Sequence, residues 1–333
     1  MSSAIALHNV RKTFRVPERE PGLRGSLRGL IRKRAREIVA VDDLSFAIAP
    51  GERVAFLGPN GAGKSTTLKI LSGILQPSAG QVRVLGLEPG RERRRLAYRI
   101  GVVFGQRSQL WSHLPAADTF DLLARIYELE PAEYRQRRDE LVASFAIADV
   151  VEKPVRQLSL GERMRCELVA SLLHRPEILF LDEPTIGLDV VAKATIRDLL
   201  RERGRRDGCT ILLTSHDTGD MAGVCERVLV IHHGRLLLDR SLDGLRKGFI
   251  ARKRISVVTE EAELTLDLPG VRRLPSASHR SDFELDLGVV GVDRVVAAIV
   301  AGARVLDLSV EDPPMEEVVS AIYASALSAG PRP

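Results

Sequence analysis

Residues 58–66 have the sequence Gly58-Pro59-Asn60-Gly61-Ala62-Gly63-Lys64-Ser65-Thr66. The apolar run 54–57 precedes them and residues 68–75 suit a buried helix, so the context is strand, glycine-rich loop, helix. Glycine lets the backbone curl its N–H groups inward and form an anion site at the positive end of a helix. The stretch therefore predicts a phosphate-binding loop, in which Lys64 reaches the β- and γ-phosphates and the Ser65 hydroxyl binds a magnesium ion.

The composition is that of an ordinary globular protein with room for more than one domain. The chain has 333 residues, of which 44% are hydrophobic and 28% charged. Its apolar runs are shorter than the roughly 18 residues of a membrane span, and residues 1–10 lack a signal-peptide pattern. Its three cysteines, Cys166, Cys209 and Cys225, show no metal-site or disulfide spacing and are expected to be small buried hydrophobes.

The positive charge is concentrated in one segment. Residues 11–36 carry ten Lys or Arg and two Glu, so this segment is +8, whereas the whole chain is only +5. Within an insertion at about 17–37, leucines recur at helical spacing between arginines, which is typical of a basic helix on an anionic membrane surface or on a partner. A solvated connector is an equally good interpretation, because three glycines weaken the helix.

Three further apolar runs end in polar residues. These are 100–104 before Gly105-Gln106, 178–181 before Asp182-Glu183, and 211–213 before Thr214-Ser215-His216. Wholly apolar strands are typical of parallel sheets covered on both faces, and such sheets bind ligands at the carboxyl ends of their strands. The pattern predicts an α/β fold with these polar groups at one edge.

Two regions depart from this α/β pattern. Residues from about 108 to 173 have helical periodicity and predict an all-α insertion, with Ser159 and Gly161 at a helix N-terminus. From residue 246 onward, short alternating strands and two helical stretches, 292–300 and 315–326, predict a small C-terminal α+β domain over 246–333. The expected domains are thus 1–245 and 246–333.

The polar residues at the strand ends suit phosphoanhydride hydrolysis. Asp182 would anchor magnesium through water, and Glu183 would act on the attacking water. Gln106 could contact metal and water, and His216 could contact the γ-phosphate and orient Glu183. Individually, an Asp-Glu pair is often a helix cap, and a lone Gln or His is often an ordinary surface residue. Their joint occurrence downstream of a phosphate loop favours catalysis.

Together these motifs resemble the ATP-binding subunit of an ABC transporter, over about residues 4–245. The matching motifs, in the family's order, are Gly58 to Thr66 (Walker A), Gln106 (Q-loop), Leu158 to Glu162 (signature), Ile178 to Glu183 (Walker B with its catalytic glutamate), Gly187-Leu188-Asp189 (D-loop) and His216 (switch histidine). The resemblance implies a P-loop cassette with a mixed sheet core and an all-α insertion, with ATP and Mg²⁺ as cofactors.

Two positions depart from the family's usual pattern. The signature usually has the sequence Leu-Ser-Gly-Gly-Gln, whereas this chain has Leu158-Ser159-Leu160-Gly161-Glu162. Ser159 and Gly161 are retained, while Glu162 puts a carboxylate in place of an amide. The adenine-stacking aromatic, usually tyrosine, corresponds to Phe14, whose ring can stack without the hydroxyl.

The resemblance also implies partners. Two cassettes would close around two ATP molecules, each held by one chain's Walker A loop and covered by the other chain's signature residues Ser159, Leu160, Gly161 and Glu162. Residues 107–115, which include the only tryptophan, Trp111, would form part of a groove for a membrane-spanning permease chain. Core packing is an equal alternative for Trp111.

Within the family, the chain is most similar to ATPases of ABC-2 type exporters, including multidrug and antibiotic-resistance systems. This implies an ATPase at the cytoplasmic face of the membrane that powers export through a separate permease. Two alternatives remain: a soluble ABC ATPase that acts on the ribosome or nucleic acid, for which the Arg-rich insertion is the only support, and an importer ATPase. Binding to nucleic acid is not expected.

Overall fold

The computed structural model describes residues 3–17, 35–105, 108–215, 218–249, 252–262, 264–276 and 278–311. Gln106, His216, most of the basic insertion and the predicted helix 315–326 lie outside these ranges. The chain falls into two compact units that divide between Arg240 and Ser241. The sequence had placed the boundary after residue 245.

The first unit contains nine strands and seven α-helices within the described residues. The strands are β1 (Ile5–Pro17), β2 (Ala35–Ile48), β3 (Arg53–Leu57), β4 (Ala79–Val84), β5 (Ile100–Phe104), β6 (Ile178–Asp182), β7 (Thr210–Ser215), β8 (Arg227–His232) and β9 (Arg235–Ser241). The helices are α1 (Lys64–Leu71), α2 (Arg93–Ala97), α3 (Ala116–Ile126), α4 (Pro131–Ser144), α5 (Leu160–Leu172), α6 (Val190–Asp207) and α7 (Thr218–Val224).

The central sheet brings the predicted polar strand ends to one edge. It has six strands in the order β5-β6-β7-β3-β8-β9, and the pairs from β5 to β8 are parallel. In register, Asp182 lies beside Phe104 on one side and Thr214 on the other, and Ser215 lies beside Leu57. The apolar strand residues are buried in the core. The sequence-based prediction of an α/β fold with polar groups at this edge is confirmed.

A second sheet, β2-β1-β4, is antiparallel and packs into the same hydrophobic core. Helix α1 lies in that core through Leu68, Ile70 and Leu71. The helix begins at Lys64 and ends at Leu71, so the predicted extension to residue 75 is wrong. Gly73, two residues after α1, has a left-handed backbone at φ 74°. A residue in this conformation cannot continue the helix, so the helical backbone stops before it.

The predicted all-α insertion contains α3, α4, α5 and a short 3-10 helix, Val155–Gln157. Residues 108–115, which were predicted as part of the helical stretch, are instead a loop with bends and turns. Pro115 immediately precedes α3 and has an extended backbone, with φ −57° and ψ 151°. Because proline also disfavours a helical conformation in the residue before it, the helix begins only at Ala116.

The second unit is a small α+β fold. It contains α8 (Leu242–Phe249), β10 (Arg252–Thr259), β11 (Val271–Leu274), β12 (Arg280–Asp286), α9 (Val292–Gly302) and β13 (Val305–Glu311). Its strands form an antiparallel sheet in the order β11-β12-β10-β13, with a core that joins Ile255 and Phe283 of the sheet to Val295 and Ile299 of α9.

Among the described residues, no helix has the length and hydropathy needed to cross a membrane.

Candidate nucleotide site

The phosphate loop lines a cavity of about 550 Å³ at the carboxyl edge of the central sheet. Residues 59–66 form one wall, and Asp182 and Glu183 lie opposite. Gly63 caps α1 at φ 105°, a left-handed conformation that a side chain would strain, and a Cβ there would lie 2.4 Å from the carbonyl oxygen of Ala40. Backbone N–H groups in the first turn of α1 have no partner within the helix, which makes this end suited to phosphate.

Lys64 lies in this cavity and is nearly buried, at 6% exposure. Its Nζ donates to the Gly58 carbonyl oxygen at 2.5 Å and lies 3.7 Å from Glu183 Oε1. Burial lowers the pKa of Lys64, while Glu183 and Asp182 oppose that shift. Phosphate oxygens would supply the negative charge that this buried ammonium group requires.

Two of the three residues predicted to bind magnesium, Ser65 and Asp182, contact each other, and the third, Gln106, lies outside the described residues. Ser65 Oγ donates to Asp182 Oδ1 at 3.1 Å, and Thr214 Oγ1 donates to the same oxygen at 2.7 Å. A serine hydroxyl and a carboxylate are the hard oxygen donors that Mg²⁺ prefers, and it usually completes its shell with water and phosphate oxygens. The residues therefore fit the ion. In the described part of the chain, no cluster of three or more His, Cys, Asp or Glu suggests a different metal site.

Glu183 has a left-handed backbone, at φ 52°. Its N–H donates to both the carbonyl oxygen and Oγ1 of Thr214, each at 3.1 Å. No helix follows the Asp182-Glu183 pair until α6, so the helix-cap alternative for this pair is wrong. Uncommon backbone conformations of this kind cluster at active sites, where the surrounding structure must hold them.

The signature residues lie at a helix N-terminus, as predicted. Ser159 caps α5: the Glu162 N–H donates to Ser159 Oγ at 3.3 Å, and the Ser159 N–H donates to Glu162 Oε2 at 2.8 Å. This reciprocal capping box lowers the pKa of Glu162, chiefly through the backbone hydrogen bond from Ser159. Glu162 is thus engaged with its own helix.

The signature lines a cavity of its own, with a volume of about 310 Å³. Ser159, Leu160, Gly161 and Glu162 share it with the D-loop residue Asp189. No described residue lines both this cavity and the one at the phosphate loop. Asp189 also caps α6 by accepting from the Ala192 N–H at 2.8 Å.

Phe14 lies in β1 opposite Ile38 and is half-buried, with Lys12 Nζ 5.3 Å from the centre of its ring. Phe14 does not line the phosphate-loop cavity, whereas Ile38, Val39 and Ile74 do. These three apolar side chains are 40–45% exposed. They form an apolar wall that the sequence analysis missed.

Trp111 is 51% exposed, so core packing is the wrong interpretation for it. Its loop is attached to the signature helix by Glu167, which is 4% exposed. The Glu167 carboxylate accepts from the Ser108 hydroxyl and, at 3.1 Å, from the Gln109 N–H. Burial raises the pKa of Glu167. Glu167 was not identified from the sequence, and Thr214 was predicted at the polar edge of the sheet but was given no role there.

Strand β3, the glycine-rich loop and α1 form a phosphate-binding unit at the edge of a parallel sheet. The acidic pair Asp182-Glu183 follows β6, which is separated from β3 by β7 alone. This arrangement defines a P-loop nucleoside triphosphatase. The ABC transporter family model matches residues 41–186. The chain is 37% identical over 297 residues to the Daunorubicin resistance ATP-binding protein DrrA3 of Streptomyces coeruleorubidus, which covers 86% of this chain and 92% of that protein. The chain therefore belongs to the ABC transporter family and is an ATP-hydrolysing cassette of that family, as the motifs predicted.

Two further similarities fit this family. The Linearmycin resistance ATP-binding protein LnrL of Bacillus subtilis (strain 168) is 27% identical over 301 residues, with 86% of this chain and 94% of that protein covered. The solved dimer of the ATP-binding cassette MJ0796 in a post-hydrolysis state, bound to ADP and Pi, has a TM-score of 0.60 and 26% identity, with 72% of this chain and 98% of that chain covered.

Proposed function

We propose that this chain is the ATP-hydrolysing subunit of an ABC-2 type exporter that works through a separate membrane-spanning permease. The relatives named for daunorubicin and linearmycin resistance support an export role, because their similarity extends over 86% of this chain. The cassette would lie at the cytoplasmic face of the membrane, held there by its partner.

The observation that carries the proposal is the separation of the two half-sites. The cavity at Lys64 and the cavity at Ser159 share no described residue, so one chain offers phosphate-binding groups at one place and signature groups at another. A second copy would bring its Ser159 to the first copy's phosphate loop. The solved MJ0796 cassette, which is a dimer, supports this arrangement.

Each site residue then has a role in hydrolysis. Lys64 and the N–H groups of residues 61–66 would bind the phosphates. Ser65 and, through water, Asp182 would hold Mg²⁺, which would neutralise charge on the phosphates. Glu183 would take the proton of the attacking water. Gln106 and His216 would contact the metal and the γ-phosphate, respectively.

The exposed loop around Trp111 is the proposed docking surface for the permease. Trp111 is 51% and Leu114 39% exposed, which suits a contact with an apolar helix of the partner. Glu167 ties this loop to the signature helix, so a contact at Trp111 has a direct path to Ser159. We further propose that the basic insertion at 17–37 binds an anionic membrane surface or the partner.

Glu183→Gln tests the catalytic role. The variant should bind ATP like the parent chain, while turnover falls by about 10²–10⁴-fold because the general base is lost. Glu177→Gln is the matched control. Glu177 directly precedes the first residue of β6, at the end of the strand opposite to Glu183, and its side chain is 52% exposed. Turnover at the parent rate in Glu183→Gln would remove Glu183 from the mechanism.

A triple replacement of Arg28, Arg32 and Arg34 by Glu tests the insertion. Association with anionic vesicles or with membranes that contain the permease should weaken, while ATP hydrolysis in solution stays the same. The control reverses the exposed arginines 91, 93 and 94 in the same way. Association that is unchanged in the first variant would leave only the connector interpretation.

A further inference from the structure

Asp220 is a fully buried carboxylate, with 0% exposure, that joins three separate elements. Its Oδ1 accepts from Arg197 Nε of α6 at 2.7 Å. Its Oδ2 accepts from Ser215 Oγ at the end of β7, at 2.8 Å, and also from the Thr185 hydroxyl. The charge is paired and hydrogen-bonded, as a buried carboxylate requires.

Two of these partners lie close in sequence to the groups that hold Glu183. Thr185 is two residues after Glu183, and Ser215 follows Thr214, which accepts the Glu183 N–H. Asp220 Oδ2 therefore connects two segments: the turn that begins at Glu183, through Thr185, and the end of β7, through Ser215. The same end of β7 accepts the Glu183 N–H through Thr214.

Gly105 closes the other side of this turn. Its N–H donates to the Asp182 carbonyl oxygen at 2.8 Å, and a Cβ at Gly105 would lie only 2.4 Å from the Glu183 carbonyl oxygen. The left-handed backbone of Glu183 is unfavourable on its own and persists only when its surroundings fix it. Among the described contacts, Asp220 is the carboxylate that connects the Thr185 side of this turn to the end of β7.

We propose that Asp220 is a positioning residue that keeps Glu183 in its left-handed conformation and so places the Glu183 carboxylate toward the reaction. The inference rests on the proposed catalytic role of Glu183. Without Asp220 the hydroxyl of Thr185 is released, the turn relaxes toward an ordinary backbone, and the carboxylate moves from the cavity that holds Lys64.

Asp220→Asn tests this by separating kcat from KM. The amide keeps the shape but loses the charge that binds Arg197, so kcat for ATP should fall on the order of tenfold to a hundredfold, the loss expected for a misplaced catalytic group. KM should stay within about twofold, because Lys64 and the phosphate loop are untouched. Asp198→Asn is the matched control: it lies on the same helix as Arg197, is 69% exposed and should leave kcat unchanged.

The decisive measurement is single-turnover hydrolysis in the Glu183→Gln background. If Asp220 acts through Glu183, adding Asp220→Asn should lower the residual rate no further, whereas a general loss of structure would multiply the two defects.

Thr185→Val, which removes one hydroxyl and leaves the Asp220–Arg197 pair intact, should reproduce the kcat loss in part. A parental kcat in both variants, or losses that multiply in the double variant, would overturn the inference. A parental rate in Glu183→Gln alone would instead contradict the proposed function.

Discussion

Replacing Arg203 with methionine should destabilise the nucleotide-binding unit. Arg203 is 3% exposed and links α6 to α4 of the helical insertion: its Nη1 donates to Glu140 Oε1 at 2.7 Å and its Nη2 to Ser144 Oγ at 2.5 Å. Methionine fills much of the same space with an apolar chain, so the change removes mainly the charge.

The structure sets the size of the loss. Breaking a fully buried ion pair costs about 3–5 kcal/mol. The Glu140 side chain is 30% exposed and would keep its ion pairs with Arg137 at 3.4 Å and Arg206 at 3.2 Å, so its negative charge would remain paired in the variant. We therefore expect a loss of about 2 kcal/mol in the free energy of unfolding, below that range. For a unit of this size, about 2–4 °C per kcal/mol gives a fall in Tm of about 4–8 °C.

Thermal unfolding followed by circular dichroism at one fixed scan rate measures this shift. Arg206→Met is the control, since Arg206 binds the same carboxylate but is 56% exposed and should cost less than about 1 kcal/mol. Equal shifts in the two variants would refute the argument that burial makes Arg203 important.

The acid dependence gives the same test a second readout. Arg203 is the main cause that lowers the pKa of Glu140. A lowered carboxyl pKa stabilises the fold above the unfolded-state pKa, and this stabilisation is lost as pH falls through the folded-state value. The Tm difference between the parent chain and Arg203→Met should therefore be full near neutral pH and should shrink as the solution becomes acidic.

Three other predictions concern the cap of the signature helix, the exposed Trp111 and the buried cysteines. Glu162→Ala, which removes half of the capping box, should cost about 1 kcal/mol in chemical unfolding, whereas Glu162→Gln keeps an acceptor and should cost less than half of that. Trp111→Ser should change stability by less than about 0.5 kcal/mol, because the side chain is exposed, but should reduce co-purification of the permease from membranes. Cys166, Cys209 and Cys225 are buried, and burial raises the thiol pKa of each, to about 12 for the first two, so none should react with a thiol reagent at pH 8 until the chain unfolds.

The sequence predicted best where local pattern and tertiary role coincide. The apolar runs before Asp182 and Thr214 are typical of buried parallel strands, and parallel pairing then places their ends together, as the structure confirms. The position of Ser159 at a helix N-terminus could also be predicted, because a serine followed three residues later by glutamate is a sequence pattern typical of a helix start. In both cases the information lies within a few residues.

The sequence failed where the outcome depends on distant contacts. Asp220 lies in a helix of only seven residues whose sequence shows no motif, and its importance comes from partners 5 to 35 positions away in the chain. Strand β11 has only four residues and two arginines, so its pairing with β12 decides its conformation rather than its composition. The exposure of Trp111 likewise depends on what packs beside it.

The central claim is that two copies of this chain share each ATP, and the most direct test is the oligomeric state of the Glu183→Gln chain. Sedimentation velocity should show a monomer without nucleotide and a dimer at saturating MgATP, because hydrolysis no longer reopens the closed state. Adding Ser159→Asp, which sets a negative charge against the partner's γ-phosphate, should return the chain to a monomer although ATP still binds. A chain that stays monomeric at saturating MgATP with Ser159 intact would contradict the account.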